Sequence, residues 1–233
     1  MSCVPAAKTE PPVRPSAAPA PPEHLSQPDP ESPAGRIYLA ARLCFAKQGF
    51  KGATTRGIAE AAGVNQALVH YYFGSKAALY RRVLGVEIRQ ILRHQTEGRL
   101  GVMPLNELLV GFPGRLVGWF RQHPEVANLL RSEIGAGGRG LQEIIQELGV
   151  HGPLGIRRQA NAMQRAHTPA GALDLPVDHV LACILSLSYG MILIAPLLET
   201  VTRLDLSHDN QWKGLQASLE HLLRHGLIPK ESA

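Results

Sequence analysis

The sequence lacks the features that identify most enzymes, metalloproteins and secreted proteins. Its three cysteines, Cys3, Cys44 and Cys183, form no CxxC pair and are odd in number, which indicates neither a disulfide framework nor a zinc site. It contains no G-x-S-x-G, HExxH or P-loop motif. We therefore expect no enzymatic activity, no cofactor and no metal, and the cysteine usage favours a reducing, cytoplasmic setting.

The amino terminus has no apolar targeting segment. Ten of the 18 prolines fall in residues 1–33, a composition that cannot bury enough surface to fold, so a disordered tail is predicted there. Residues 180–198 form a run of 19 residues without a charge, close to the roughly 20 needed to span a bilayer. This run contains Ser186, Ser188 and Pro196 and has no basic cluster on either flank, which favours a helix buried by protein over a membrane span.

The basic residues are concentrated in one segment. The formal net charge is only +5, but residues 34–98 hold ten Lys and Arg against three Asp and Glu, whereas residues 99–233 hold twelve of each sign. An anionic partner is therefore expected for the first of these segments. The cations that could face it are Arg36, Arg42, Lys47, Lys51, Arg56, Lys76, Arg81 and Arg82.

Apolar residues recur at helical spacing along most of the chain after residue 35. Four helices are predicted first, from Arg36 to a stop at Gly49, from a Thr54 or Thr55 cap to Gly63, from an Asn65 cap to about Phe73, and from a Ser75 cap to about Glu97. Later helices are predicted in LNELLVGFPGRLVGWFRQH, PEVANLLRSEI, LQEIIQEL and GIRRQANAMQRA, and over residues 176–204 and 209–226. No strand pattern is found, so the predicted fold is all-α.

The second and third helices are joined by AAGVN, with Gly63 at the turn, and the third is short. This is the construction of a helix-turn-helix. Helical hairpins with a glycine turn are also common, so the spacing alone leaves DNA binding and a purely structural hairpin open.

Residues 36–80, RIYLAARLCFAKQGFKGATTRGIAEAAGVNQALVHYYFGSKAALY, resemble the TetR (tetracycline repressor) family of bacterial transcriptional regulators. The most specific parts are Thr-Thr-Arg with Ile-Ala, the Gly-Val turn and Tyr-Tyr-Phe-x-Ser-Lys. The resemblance implies a DNA-binding head at 34–80, a connecting helix at 81–98 and a larger helical body at 99–228. It also implies a homodimer on a palindromic operator and a small-molecule effector pocket in the body.

Carried over by position, the resemblance implies several contacts with DNA. Arg56 would reach a base or a phosphate, Tyr71 and Tyr72 the DNA backbone, and Lys76 a phosphate. The full set of implied DNA-binding residues is Thr54, Thr55, Arg56, Asn65, Gln66, Ala67, Leu68, His70, Tyr71, Tyr72 and Lys76. Gly57 and Leu68 depart from the residue types usual in the family.

The side chains of the third helix suit base recognition. Gln66 can pair with adenine N6 and N7, Ala67 and Leu68 can pack on a thymine methyl group, and His70 can donate to a purine N7. All four are expected on the exposed face of the helix.

The body offers weaker signals. Core packing accounts equally well for any one of the effector-pocket candidates, which are Phe112, Arg115, Trp119, Arg131 and Tyr189, with Phe120, His123, Met163 and Met191 as further members. The stretch GAGGRG, residues 135–140, follows no strand, so an interhelical loop is favoured over a dinucleotide site. The order of RSEI, a glycine loop and LQEIIQEL resembles the CerR/YbiH-type C-terminal domain of one branch of the family.

The last two helical segments are predicted to form the dimer interface as a four-helix bundle. The apolar residues proposed for it are Leu181, Ile184, Leu185, Leu187, Ile192, Leu197, Leu198, Trp212, Leu215, Leu219, Leu222 and Leu223. The expected function is a ligand-responsive repressor. The alternative is a regulator of the same fold without a small-molecule effector, controlled by a protein partner.

Overall fold

The computed structural model describes residues 26–96, 105–148, 177–205 and 208–225. These residues form helices and short connections, and no strand occurs among them, which confirms the all-α prediction for this part of the chain. The helices in chain order are α1 (Pro33–Gly52), α2 (Thr55–Ala62), α3 (Gln66–Phe73), α4 (Lys76–Thr96), α5 (Leu105–Val110), α6 (Phe112–Gln122), α7 (Pro124–Gly135), α8 (Arg139–Glu147), α9 (Val177–Leu193), α10 (Ala195–Thr202) and α11 (Asp209–His225).

Helices α1, α2 and α3 pack with the start of α4 around a shared apolar core. Ile37, Phe45, Ile58 and Leu79 are fully buried there, and Val69 is 1% exposed. The first helix begins at Pro33, earlier than predicted, because the Ser32 hydroxyl accepts from the Gly35 N–H and caps it. Its backbone leaves helical geometry at the predicted stop, Gly49, and a last turn then reaches Gly52.

Two predicted long helices are each divided in two. The segment after residue 104 breaks at Gly111, between α5 and α6, and the segment from residue 176 breaks at Ile194, between α9 and α10. Proline occupies the second position of both α6 and α10. Because proline has no N–H to continue a preceding helix, each one ends the earlier helix and starts the next.

In a single chain the apolar run at residues 180–198 is buried on one side only, and its burial in the predicted dimer stays a prediction. Ile184 and Ile192 lie in the interior, whereas Leu185, Leu187 and Leu197 are 40%, 43% and 59% exposed. Among the residues that the structure describes, no helix has both the length and the apolar character to cross a membrane.

Polar contacts centred on Glu87 and on Glu133 help to join the head to the body. On α4, the Glu87 carboxylate accepts a 2.6 Å hydrogen bond from the Tyr38 hydroxyl, and Arg42 of α1 pairs with both Glu87 and Glu125 of α7. The second contact has Glu133 of α7 at its centre. Its carboxylate accepts from the Tyr80 hydroxyl of α4 at 2.6 Å and from the N–H groups of Gly140 and Leu141 in the first turn of α8.

Several predictions fall outside the described residues. They are the first 25 residues of the proposed tail, Met163, the GIRRQANAMQRA helix and the side chain of Leu181. The proposed boundaries at residues 80 and 98 stay predictions, since α4 runs across residue 80 without a break.

Candidate nucleic-acid interface

The turn between α2 and α3 is built by local hydrogen bonds. Gly63 has φ 63° and ψ 38°, a left-handed conformation that costs glycine little. Its N–H donates to Glu60 O at 3.2 Å, and the N–H of Val64 donates to Ala59 O at 3.0 Å, which is the Schellman pattern that ends helices. The turn therefore ends α2 and leads directly to α3, as in a helix-turn-helix.

Both helices of this motif are capped at their amino termini as predicted. The Thr54 hydroxyl accepts from the Gly57 N–H at 3.0 Å, and the Asn65 side chain accepts from the Ala67 N–H at 2.8 Å. A Cβ at residue 57 would lie 3.2 Å from the Thr54 hydroxyl, so the glycine that departs from the family pattern keeps this cap uncrowded. Thr54 and Asn65 thus have structural roles besides their implied contact with DNA.

The outer face of α3 carries most of the predicted base-reading residues. Gln66, Ala67 and His70 are exposed, while Val69 points into the core. Leu68 differs from the prediction, because it is half-buried and packs against the core of the head. With period 3.6, the residue before the inward Val69 lies at the margin of the exposed face and turns partly inward.

Gln66 and Arg56 are held by neighbours in α2. The Gln66 Nε2 donates to the Thr55 hydroxyl at 3.1 Å, which leaves its second amide hydrogen and its Oε1 for another partner. Arg56 donates to Glu60 one turn along at 2.9 Å, and this hydrogen bond raises the pKa of Arg56 above its ordinary value. Because both side chains are mostly exposed, this ion pair is weak and a phosphate can displace Glu60.

The two tyrosines project beyond α3. Tyr71 is 78% and Tyr72 42% exposed, and their rings meet edge to face with centroids 5.0 Å apart. Two exposed phenol hydroxyls beside a basic head suit the phosphate contacts that orient a protein on DNA.

Lys76, at the start of α4, is directed partly into the head. Its Nζ donates to the carbonyl of Ala53 at 3.0 Å and lies 4.6 Å from the centre of the Phe50 ring. An ammonium group has three hydrogens, so two remain after this bond. Lys76 therefore ties α4 to the end of α1 and keeps donors for a phosphate.

Two residues of this surface escaped the sequence analysis. Glu60, the partner of Arg56, could have been found from its i,i+4 spacing. Gly74, whose carbonyl oxygen lies 3.0 Å from His70 Nδ1, gave no local signal beyond its being a glycine after a helix.

The structure brings together only part of the predicted effector pocket. A cavity of about 500 Å³ lies between α6, α7, α9, α10 and α11, and Phe120, Arg131 and Met191 line it with Trp212. Phe112, Arg115, Trp119 and Tyr189 do not line this cavity. Trp119 is instead stacked on His123, with ring centroids 4.1 Å apart, and burial raises the pKa of Tyr189 to about 12.

The GAGGRG stretch forms the turn between α7 and α8 and contributes to a cleft of about 890 Å³ between head and body. The N–H groups of Gly140 and Leu141, in the first turn of α8, already donate hydrogen bonds to the Glu133 carboxylate. The predicted interhelical loop is confirmed.

Comparison with known proteins agrees with this architecture. Residues 37–83 match the model of the bacterial regulatory proteins of the tetR family. The chain is 31% identical over 102 residues to the HTH-type transcriptional repressor SCO4008 of Streptomyces coelicolor, a match that spans 44% of this chain and about half of that protein (50%).

Two further comparisons extend beyond the head. The HTH-type transcriptional repressor Rv1474c of Mycobacterium tuberculosis is 30% identical over 153 residues, which are 63% of this chain and 79% of that protein. The fold resembles the transcriptional regulator FadR of Bacillus subtilis, solved in complex with stearoyl-CoA, with a TM-score of 0.65 at 17% identity over 83% of this chain and 98% of that one. The helix-turn-helix, the helical body and the relationship to Rv1474c together show that this chain belongs to the TetR family of bacterial regulatory proteins.

Proposed function

We propose that this chain is a DNA-binding transcriptional repressor that inserts α3 into the major groove of its operator. The observation that carries the proposal is the outer face of α3, where Gln66, Ala67 and His70 are exposed on a helix fixed from behind by Val69. The major groove admits one α-helix, and its base edges present the donors, acceptors and methyl groups that these three side chains suit.

Contacts with the DNA backbone would come from residues around α3. Tyr71 and Tyr72 offer exposed hydroxyls, Arg56 is paired only with an exposed carboxylate, and Lys76 retains two ammonium hydrogens. Such contacts supply affinity and register without sequence information. Base recognition and affinity are therefore assigned to different residues.

We also propose that the protein acts as a homodimer on a palindromic site. Leu185 and Leu187 of α9 and Leu197 and Val201 of α10 are 40–71% exposed, so the last helices present apolar surface to solvent in a single chain. Exposed apolar surface of this kind is typical of protein interfaces. A two-fold axis through this face would present two heads to half-sites about 34–36 Å apart, or a multiple of that distance.

The body supports regulation by a small molecule. The cavity of about 500 Å³ falls in the size range of ligand pockets. Its lining includes two cationic groups, Arg121 and Arg131, one carboxylate, Asp209, and the rings of Phe120 and Trp212. The related fold of FadR from Bacillus subtilis binds stearoyl-CoA. We propose that an organic effector enters this cavity.

Helix α7 would transmit the effect of the ligand. Ala127 and Arg131 of this helix line the cavity, while Glu125 and Glu133 of the same helix bond to Arg42 of α1 and Tyr80 of α4. A ligand that favours one position of α7 would thereby favour one position of the head. It acts only to the extent that it binds the two conformers with different affinity.

Selection of bound DNA from a random pool tests the central proposal. The expected product is a motif with two-fold symmetry. A pool that enriches nothing would contradict DNA recognition by α3, and a motif without symmetry would contradict the proposed homodimer. Two variants serve as controls for one another on the selected site. Gln66→Ala should relax preference at one base pair by about 1–3 kcal/mol, while Lys76→Ala should weaken operator and random DNA alike and reduce the salt slope by about 1.

A further inference from the structure

The chain after α3 turns one carbonyl group back toward the recognition helix. Gly74 has φ 73° and ψ −65°, and across it the N–H of Ser75 donates to Phe73 O at 2.8 Å, which makes a γ-turn. A positive φ of this kind favours glycine. The turn places the Gly74 carbonyl oxygen 3.0 Å from Nδ1 of the His70 ring.

This contact decides which nitrogen of His70 carries the hydrogen. A carbonyl oxygen accepts hydrogen bonds and cannot donate one, so Nδ1 must be the donor. In a neutral imidazole the other nitrogen, Nε2, is then a bare acceptor. Since the side chain of His70 is exposed on α3, Nε2 is the ring nitrogen left for a partner outside the protein.

We propose that His70 selects its base pair by accepting a hydrogen bond at Nε2 from an exocyclic amino group, N6 of adenine or N4 of cytosine. The proposal rests on the proposed function, because it assumes that α3 lies in the major groove. It reverses the role expected from the sequence, in which His70 donates to a purine N7. Guanine and thymine present acceptors in the major groove, and these repel a bare nitrogen.

Gly74 is the positioning residue for this selection. An added Cβ would have no atom within 4 Å, so Gly74→Ala crowds nothing and acts only by straining the left-handed backbone. The substitution is expected to loosen the γ-turn and release Nδ1, after which either nitrogen of His70 can carry the hydrogen.

The tautomer is tested first, without DNA. Long-range proton–nitrogen NMR spectra of the full chain, recorded at pH 8 where an imidazole is ordinarily neutral, report which ring nitrogen bears the hydrogen. The signals of His70 are those that disappear in His70→Gln. We expect a hydrogen on Nδ1 and a bare Nε2 in the wild type and a mixture in Gly74→Ala. Any other pattern in the wild type overturns the proposal.

Base analogues then test the recognition itself. The base pair that His70 reads is the one whose preference is lost in His70→Ala when the DNA selection is repeated. Every base pair presents one such amino group in the major groove, on its adenine or its cytosine. Removing its amino group, with purine in place of adenine or pyrimidin-2-one in place of cytosine, should weaken binding about fivefold, the value of one ordinary hydrogen bond. Replacing N7 of the purine in that pair by carbon should leave the affinity unchanged.

The outcomes separate this inference from the function on which it rests. If affinity falls when N7 of the purine is replaced by carbon, and is unchanged when the amino group is removed, then His70 donates a hydrogen bond to N7. Affinity unchanged by either analogue, or a His70→Ala selection identical to that of the wild type, would show that His70 reads no base. Each of these overturns the inference while DNA binding stands, whereas a wild-type chain that enriches no DNA overturns both.

Discussion

Replacing Arg42 by methionine tests the polar contact between head and body. The Glu87 carboxylate beside it is 1% exposed, with Arg42 Nε 2.9 Å and the Tyr38 hydroxyl 2.6 Å from its Oε1. Its Oε2 is buried without a hydrogen-bond partner. Burial raises the pKa of Glu87 above its ordinary value, and the Tyr38 hydrogen bond and the charge of Arg42 work against that rise. Arg42→Met removes one of these two compensations and keeps the apolar stem of the side chain.

The expected cost follows from the burial of the two partners. Removing one member of a fully buried ion pair costs roughly 3–5 kcal/mol. Because Arg42 is 20% exposed and Tyr38 still donates to Glu87, we expect about 2–3 kcal/mol at pH 7. Adding Glu87→Gln removes the uncompensated charge, so the double variant should be more stable than Arg42→Met alone.

The same variant has a predictable dependence on pH. A carboxyl group whose pKa is raised by folding binds protons more readily in the folded chain than in the unfolded chain. Its ionisation therefore lowers the free energy of unfolding. For Glu87 this loss begins near its unfolded pKa of 4.5 and grows as the pH rises through its folded pKa. Without Arg42 the folded pKa rises further and the cost grows. The deficit of Arg42→Met should therefore be smaller at pH 5 than at pH 7.

Urea unfolding at both pH values measures the effect, as a shift in midpoint with an unchanged slope. A deficit below about 0.5 kcal/mol at pH 7, the range of ordinary surface substitutions, would refute the reasoning. So would a deficit that is equal at the two pH values.

Two further predictions concern the body. Leu197→Glu should give a monomer by light scattering and should weaken operator binding. Leu43→Glu on α1, where the leucine is equally exposed at 59%, should leave the dimer intact. The proposed interface would be contradicted if both variants were dimers or if both were monomers. A metabolite that binds in the cavity of about 500 Å³ should raise the unfolding midpoint of the wild type. The same metabolite should raise the midpoint of Arg131→Gln by less. If no metabolite of a panel shifts the midpoint of the wild type, control by a protein partner is favoured.

The helix-turn-helix could be predicted closely because its signals are local. Thr54 and Asn65 cap the helices that follow them, and Gly63 closes α2, so each boundary is set by residues within a turn of it. The proline breaks inside the body were missed, although Pro113 and Pro196 are visible in the sequence, because strong apolar periodicity on both sides suggested continuous helices.

Contacts between distant residues could not be predicted in the same way. Tyr80 and Glu133 lie 53 residues apart in the chain, and nothing local indicates that they share a hydrogen bond. The contact of His70 with Gly74 is only four residues long, yet it depends on a rare turn whose backbone angles no residue pattern specifies. The residue pattern predicts His70 as a DNA contact that donates, whereas the contact with Gly74 O underlies the proposal that it accepts.

The basic surplus of residues 34–98 is partly neutralised by the body. Arg42 pairs with Glu125 of α7, and Arg81 pairs with Glu147 of α8, so two of its cations face carboxylates of the body. Cations held in this way do not release counterions from phosphates, and the surplus of charge counted from the sequence overstates the salt dependence of binding. Because these ion pairs lie where α7 and α8 meet the head, a ligand that moved α7, as proposed above, would change the partners of Arg42 as well as the position of α3. Under the proposed mechanism, regulation would then act on affinity through these arginines, whereas the uncharged outer face of α3 would distinguish one sequence from another.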